Sequence, residues 1–400
     1  EKTAAKEEQS AADSRTAEWA KNRPQEDVIE KFSKEYEGQT IVDTVFEGTS
    51  AMTENTAKAA LSMKTGDMFT VKGLAADREA VYNTGYFYDL FPTFQKVPEG
   101  VVITYHVLEN PVLKSVNITG NTVIKTKALR DVLTVKPGEI LNSRNLQQNV
   151  QAIKELYRND GYILAKVTDM NIDQEGNLTL KINEGILEDY KVKGNSKTKD
   201  YVILREMRQK VGEPFNSKLA RRSMQRVYNL GFFEDVNMKL NPGREPNAVE
   251  MEVTVKEANT GTFGIGAGYS DADGFIGMVS IGDKNFRGSG DSVSIRWEFG
   301  GADNRNYEFT YRKPWLDKKE TSMNLTLYDL TNEYADYDRE GDEIARYDKK
   351  RRGQELTLGR PQGEFVRHFI TLKHRDDKYV EKVDGYHTQY YEPDYKGETY

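Results

Sequence analysis

Val81-Tyr82-Asn83-Thr84-Gly85-Tyr86-Phe87, Leu156-Tyr157-Arg158-Asn159-Asp160-Gly161-Tyr162 and Val227-Tyr228-Asn229-Leu230-Gly231-Phe232-Phe233 are three versions of one phrase. Each is a short aliphatic or aromatic run that ends in Gly-aromatic. Seventy-six positions separate Gly85 from Gly161, and 70 separate Gly161 from Gly231. A period this long exceeds that of a solenoid repeat, so the unit is a small domain in three copies.

Three other signals keep step with the phrase. An extended run ending in Gly opens each copy: Val45 to Gly48, Val116 to Gly120 and Tyr190 to Gly194. A helical stretch and a turn follow, Lys64-Thr65-Gly66-Asp67, Lys136-Pro137-Gly138-Glu139 and Lys210-Val211-Gly212-Glu213. Behind the Gly-aromatic phrase each copy closes on alternating strand sequence, Val101 to Val107, Leu178 to Ile182 and Val249 to Val255. The unit therefore reads strand, helix, helix, strand, strand. In the third copy Leu219, Met224, Val227, Tyr228 and Leu230 are expected on one helix side, with Arg221, Arg222, Gln225 and Arg226 elsewhere. The glycine behind each helix suits a left-handed C-cap, and the aromatic after it suits the core. On that reading the phrase ends a helix and does no chemistry.

Composition bounds the function. The chain has 400 residues, no Cys and 4 His, so a disulfide framework and a thiolate metal site are excluded. A net charge of -7 argues against a general nucleic-acid binder. No apolar run approaches the 18 or so residues of a membrane-spanning helix. Glu1 is not an initiator Met, so the chain reads as processed or cut, and a removed export signal would leave no trace. Residues 1–37, rich in Ala, Lys and Glu around Trp19, read as a charged helix or a disordered linker, the linker ahead of an interaction helix.

Near Thr260 helical periodicity stops, and Gly, Ser, Thr and aromatics take over. Val293, Ile295, Trp297 and Phe299 share one face, and Ser292, Ser294, Arg296 and Glu298 the other. Tyr307, Phe309 and Tyr311 alternate in the same way, as do Met323, Leu325 and Leu327. Such strands suit a soluble sandwich or a membrane β-barrel. Loop lengths separate the two. If the strand at 260–270 starts on the repeat side, then 285–290, 314–317 and 361–364 are short turns on that side. The long charged stretch Glu333 to Lys349 and the tail from Asp376 fall on the far side. Short turns on one side and long loops on the other are the habit of outer-membrane barrels.

At this point the chain resembles the POTRA-plus-barrel proteins, the BamA/TamA-type family of outer-membrane-protein assembly factors. The resemblance covers Gly38 to the C-terminus. It rests on the Gly-aromatic phrase, the Lys-x-Gly-Asp/Glu turn and the turn Asn285-Phe286-Arg287-Gly288-Ser289-Gly290. It implies an α+β chain: a charged segment at 1–37, POTRA domains at 38–110, 111–186 and 187–258, then the first strands of an antiparallel transmembrane β-barrel at 259–400. Three repeats are closer to TamA than to the five-repeat BamA. The family's barrel has sixteen strands, and 141 residues hold seven or eight, so the chain is expected to end inside the barrel, although eight strands also make the smallest closed barrel.

The function so implied is physical. POTRA sheet edges template incoming strands of unfolded outer-membrane proteins, and the barrel offers its first strand as the next template. Gly261, Gly264, Gly266 and Gly268 weaken that strand, which suits a lateral gate; the other reading is that they only permit close approach or bends. Expected partners are unfolded outer-membrane proteins, outer-membrane lipids and periplasmic chaperones or assembly lipoproteins, but no nucleic acid. The expected location is the outer membrane, with the repeats in the periplasm. A secretion pore of the same superfamily is the alternative, although two POTRA units are usual there.

Chemistry finds little support. His368 and His374 share a strand face, too far apart for one ion without outside help. Asp271-x-Asp273-Gly274 begins like a calcium loop but lacks the downstream acidic ligand. No nucleophile, base pair or metal constellation marks an enzyme, and no cofactor is expected. Arg221, Arg222 and Arg226 form a basic patch on the last repeat, suited to headgroups, a partner or substrate, or simply to a solvated helix face.

Overall fold

A computed structural model describes residues 16–173, 175–270, 274–301, 304–363, 365–383 and 396–399. Residues 16–22 are helical, and α1 spans Glu26–Lys34. The first repeat follows: β1 (Ile41–Glu47), α2 (Ala51–Ala60), α3 (Val71–Tyr82), β2 (Phe87–Val97) and β3 (Gly100–Glu109). The second holds β4 (Ser115–Thr119), α4 (Thr126–Asp131), α5 (Ser143–Asn159), β5 (Lys166–Ile172) and β6 (Asn177–Asn183). The third holds β7 (Ile186–Lys193), α6 (Asp200–Leu204), α7 (Ser217–Tyr228), β8 (Phe233–Pro242) and β9 (Ala248–Glu257).

Each repeat builds a three-stranded sheet of the same order, β1-β3-β2, β4-β6-β5 and β7-β9-β8. The last strand takes the centre because only it alternates cleanly; Val101, Ile103, Tyr105 and Val107 are all under 4% exposed. β1 and β4 pair parallel to it, while β2 and β5 pair antiparallel. The sheet then buries one face under its helices, in clusters around Phe69, Val81 and Ile103 in the first repeat and Leu129, Ile153 and Tyr157 in the second.

Two repeated devices were not legible in the sequence. Gly48, Gly120 and Gly194 have φ of +92°, +82° and +83°, and a Cβ there would overlap the carbonyl oxygen of Val107, Ile182 or Val255. Two residues past each carbonyl, a glutamate holds the loop behind the glycine: Ser50 N–H donates to Glu109 (2.6 Å), Thr122 N–H to Glu184 (2.8 Å) and Thr198 N–H to Glu257 (2.6 Å). In the second helices, the buried polar residues Asp77, Asn149 and Ser223 accept N–H groups from Ser62, Thr134 and Arg208. That use of Ser223 changes the face expected of α7. Val227 and Ser223 are buried, while Tyr228, off their i, i+4 stripe, and Leu219, on that stripe but in the first turn of the helix, are exposed.

The remaining strands form one antiparallel sheet in chain order: β10 (Gly261–Ser270), β11 (Gly274–Phe286), β12 (Asp291–Gly300), β13 (Asn304–Lys313), β14 (Ser322–Tyr337), β15 (Glu343–Gln362), β16 (Val366–Val383) and β17 (Lys396–Thr399). Cross-strand register joins the apolar positions into a band. Ile295 faces Ile281 and Phe309, Phe309 faces Leu327, Leu325 faces Leu356, and Leu356 faces Leu372. Phe263 and Ile265 extend it onto β10, opposite Ile281 and Val279. The band drifts along the ladder from β12 to β16, as expected of strands tilted to a membrane normal. The other face is polar, with Arg296 opposite Glu308 and Glu298 opposite Asn306. Gly277, Gly353 and Gly359 sit directly opposite Phe299, Tyr328 and Phe369, whose rings cover them.

Glu333 to Lys349, expected as a loop, instead prolongs β14 and β15 beyond the apolar band apart from a turn at 338–342, and β16 likewise continues past Asp376. Tyr334 stacks on Tyr347, and Tyr347 meets Tyr379 at a tilted angle, across these strands, which holds the ladder together where lipid no longer does. No helix among the described residues is long and apolar enough to cross a membrane, which says nothing about crossing by strands.

Candidate functional site

The expected gate lies at the end of the sheet. β10 pairs with β11 from Gly261 to Ser270 and carries no strand on its other side among the described residues. Its odd positions place Phe263, Ile265 and Tyr269 on the apolar face, at least 69% exposed. Gly264, Gly266 and Gly268 fall on the polar face, and Gly261 lies at the strand's entry. None of the four has φ in the left-handed region, so the backbone itself does not demand glycine here. A Cβ at 264 would come 2.6 Å from Ser280 Oγ, one at 266 only touches Met278, and one at 268 meets nothing within 4 Å. Their shared consequence is a strand with no side chains on its polar face at 264, 266 and 268, beyond Thr262.

The entry of that strand is pinned. Lys197 Nζ donates to Thr260 Oγ1 (2.7 Å) and pairs with Asp283 (2.9 Å), and Thr260 Oγ1 donates to Asp283 (2.6 Å). Next to it, the turn Asn285 to Gly290 seats on the third repeat. Asn285 Nδ2 donates to Thr198 Oγ1 (2.8 Å), and Lys199 N–H donates to Gly288 O (3.0 Å). Gly288 has φ of +71°, and a Cβ there would overlap the backbone carbonyl of Lys197. β10 is thus anchored at one end and, among the described residues, paired along its body with β11 alone.

Glu257 sets the loop that receives this turn. Burial raises its pKa, but hydrogen bonds from Lys197 N–H, Ser196 Oγ and Thr198 outweigh it and hold the carboxyl at about 2. A depressed carboxyl stabilises the fold above its unfolded pKa and loses that contribution as pH falls toward the folded value. Glu257→Gln is therefore expected to lower stability by about 1 kcal/mol at pH 7, after screening by solvent, with the difference from the parent fading between pH 4.5 and 2. Urea unfolding of the full chain in detergent at pH 7 and pH 3 checks this. A difference that does not shrink at low pH would contradict it.

A second contact was invisible in the sequence. Glu206, 4% exposed, accepts from Trp315 Nε1 (3.0 Å) and pairs with Arg226 (2.6 Å). Glu320 pairs with Arg208 (2.7 Å) and Arg226 (3.3 Å). Arg287 and Glu320, both in turns that meet the third repeat, have φ of +53° and +58°, uncommon for such residues. Only a Trp in a turn where a small residue would suffice hinted at this joint. Of the expected basic patch, Arg221 and Arg222 are exposed, whereas Arg226 points into this cluster.

Consecutive repeats share a joint as well. Asn142 Nδ2 donates to Thr84 O (2.8 Å) and Ser143 N–H to Gly85 O (2.8 Å), while Asn142 Oδ1 caps α5. Asn216 Nδ2 donates to Asp160 O (2.9 Å) and Ser217 N–H to Gly161 O (2.8 Å), while Asn216 Oδ1 accepts from Lys218 N–H. In its first two copies the Gly-aromatic phrase therefore ends a helix and also receives the helix start of the following repeat. β5, with mostly exposed residues, and β8, half exposed, are also sheet edges.

Metal chemistry gains nothing from the geometry. His368 and His374 lie six residues apart on β16, about 20 Å along a strand. His368 Nε2 bonds Gln362 (2.6 Å), and His374 stands 4.0 Å from Asp376. Asp271 and Asp273 lie outside the described residues. The exposed carboxylates of Asp338, Glu340 and Asp342 come together in a turn, but Asp338 already accepts Glu340 and Asp342 N–H groups.

The POTRA family, described as a surface antigen variable number repeat, matches residues 39–110, 111–185 and 186–258, and the Omp85 superfamily domain matches 285–399. A putative outer membrane protein assembly factor of Treponema pallidum is 27% identical over 75% of this chain and 41% of its own length. The outer membrane protein assembly factor BamA of Neisseria meningitidis is 24% identical over 82% of this chain and 44% of its own length. The chain thus spans less than half of these curated relatives. Among solved structures, the N-terminal domain of Omp85 from Thermosynechococcus elongatus is 33% identical, with a TM-score of 0.50 over 55% of this chain and 98% of that one. CdiB from Escherichia coli, 16% identical with a TM-score of 0.51 over 72% of this chain and 53% of that one, shares the fold.

Proposed function

The chain belongs to the Omp85 superfamily, with three POTRA repeats ahead of its barrel domain, and from that membership we propose that it is an outer-membrane-protein assembly factor which handles unfolded barrel proteins by strand pairing. The barrel strands belong to the outer membrane and the repeats to the periplasm. On this reading the working parts are 38–110, 111–186, 187–258 and 259–400, with 1–37 ahead of them. The exposed edges β5 and β8 capture extended segments in the periplasm. β10 then offers the next template within the membrane.

The observation that carries the reading is the state of β10: tied to the third repeat through Thr260 and Lys197, and bare of side chains on its polar face at 264, 266 and 268. An edge held by packed side chains exchanges partners with difficulty; one held mainly by backbone bonds exchanges readily. Lipids are the solvent of the apolar band, and Arg221 and Arg222 remain suited to headgroups or to an assembly lipoprotein. No step of this mechanism makes or breaks a covalent bond.

The native chain lacks cysteine, so introduced pairs are unambiguous. In the full-length protein, a disulfide between Gly266→Cys and the barrel's closing strand is expected to reduce assembly of other barrels at least tenfold, with recovery on reduction. Undiminished assembly with that seam fully cross-linked would overturn the gate and leave a glycine-rich wall.

A further inference from the structure

The first repeat differs from the other two at one sheet edge. In the order β1-β3-β2, β2 is an edge strand as β5 is in the second repeat. The chain ahead of β1 crosses it. Phe94 on β2 faces Ile103 and so lies on the helix side, where Tyr36 stacks on it at 5.3 Å. Phe91 faces His106, one residue out of phase with the core positions of β3, and so lies on the opposite face; there Trp19 packs on it at 5.1 Å. Between these two contacts residues 20–35 pass from one face of the sheet to the other, with α1 against β2 and α3.

Polar contacts fasten the crossing. Trp19 Nε1 donates to Asp89 (2.9 Å), and Arg23 Nε pairs with the same carboxylate (2.8 Å). Glu26 takes both guanidinium nitrogens of Arg78 on α3 (2.7 and 2.9 Å) and Arg23 as well (2.6 Å). Ile29 and Ser33 on α1 are at most 3% exposed. Val71 N–H, in the place where Ser143 and Ser217 donate to a preceding repeat's glycine, donates instead to Glu37 (2.7 Å). A solvated linker would show none of these.

From this geometry we propose that residues 19–37 are an intramolecular guard on β2. They occupy the edge that an extended chain would need and leave β5 and β8 as the open edges of the antiparallel side of the repeats, opposite the parallel edges β1, β4 and β7. A covered edge is one of the ways a sheet avoids unwanted pairing. The role rests on the strand-pairing function proposed above; the covering itself does not.

The test separates the two. A photo-reactive residue is placed at Tyr88 on β2 or at Met170 on β5, both exposed, in the full chain in detergent. The probe is a peptide copying residues 291–300. With the guard intact, cross-linking is expected at 170 and not at 88. Trp19→Ala with Arg23→Ala should raise the yield at 88 on the order of tenfold and leave 170 unchanged. Asp89→Asn, nearly isosteric, should give a smaller rise and covers the case in which the double variant folds poorly. Equal yields at 88 and 170 in the parent would overturn the guard. Should the peptide label neither position in any variant, strand pairing fails, and hydrogen exchange over Phe87–Val97 decides the guard alone. Faster exchange there in the released variant, with β5 unchanged, supports it, and unchanged exchange overturns it.

Discussion

Glu206→Ala is expected to cost about 3 kcal/mol, at the lower end of what breaking a buried ion pair costs. Glu206 is 4% exposed, and its two oxygens are fully used by Trp315 Nε1 and Arg226. Removing them strands an indole N–H and a guanidinium in a site with little water, which is where an unmet donor is most expensive. Glu320 moderates the loss, because it stands 3.3 Å from Arg226 and keeps one partner for it. Replacing both members, Glu206→Leu with Arg226→Met, should recover part of the stability, since the Arg226 charge leaves with its partner while Arg205, 3.7 Å from Glu206, still loses it. Trp315 fluorescence, with Trp19 and Trp297 replaced by Phe, follows urea unfolding of this joint in detergent. A single-variant cost below 1 kcal/mol would show that the cluster is screened and does not hold the repeat to the barrel turns.

This cluster marks where the sequence stopped informing. Local periodicity located the repeats, because each strand and helix carries its own pattern: Val101 to Val107 alternates, and Gly85, Gly161 and Gly231 stand at helix ends with φ of +86°, +97° and +71°. Glu206 and Trp315 are 109 positions apart, and nothing in either neighbourhood names the other. Arg226 looked like part of a surface patch because helix spacing reports which residues share a side, not what that side meets. Glu109, Glu184 and Glu257 do recur in step, but a carboxylate after a strand is ordinary until the loop it clasps is known. Charge content also misled at Glu333 to Lys349, where stacked tyrosines extend a ladder that polarity alone suggested should end.

The glycines of the opening phrase give the sharper contrast. Gly161→Ala is expected to cost about 3–4 kcal/mol, and Gly231→Ala only about 1 kcal/mol, although both occupy the same place in their repeats. Left-handed backbone accounts for the shared part, since φ is +97° at one and +71° at the other. The difference comes from the joint. A Cβ at 161 would stand 2.5 Å from Asn216 Oδ1 and 3.0 Å from Lys218 Cγ, whereas one at 231 meets nothing within 4 Å. To relieve the overlap, Asn216 and Ser217 must withdraw from the Asp160 and Gly161 carbonyls, losing two hydrogen bonds at about 0.5–1.5 kcal/mol each. Gly85→Ala should behave like Gly161→Ala, because Asn142 occupies the equivalent position. Urea midpoints of the three single variants provide the ranking. Limited proteolysis adds a readout that strain alone does not move: cutting between the joined repeats should accelerate for 85 and 161 and stay unchanged for 231. Equal destabilisation at all three would mean that the phrase only ends helices. An unequal result would show that the phrase, besides ending a helix, holds the helix start that follows it through the Asn142 and Asn216 contacts.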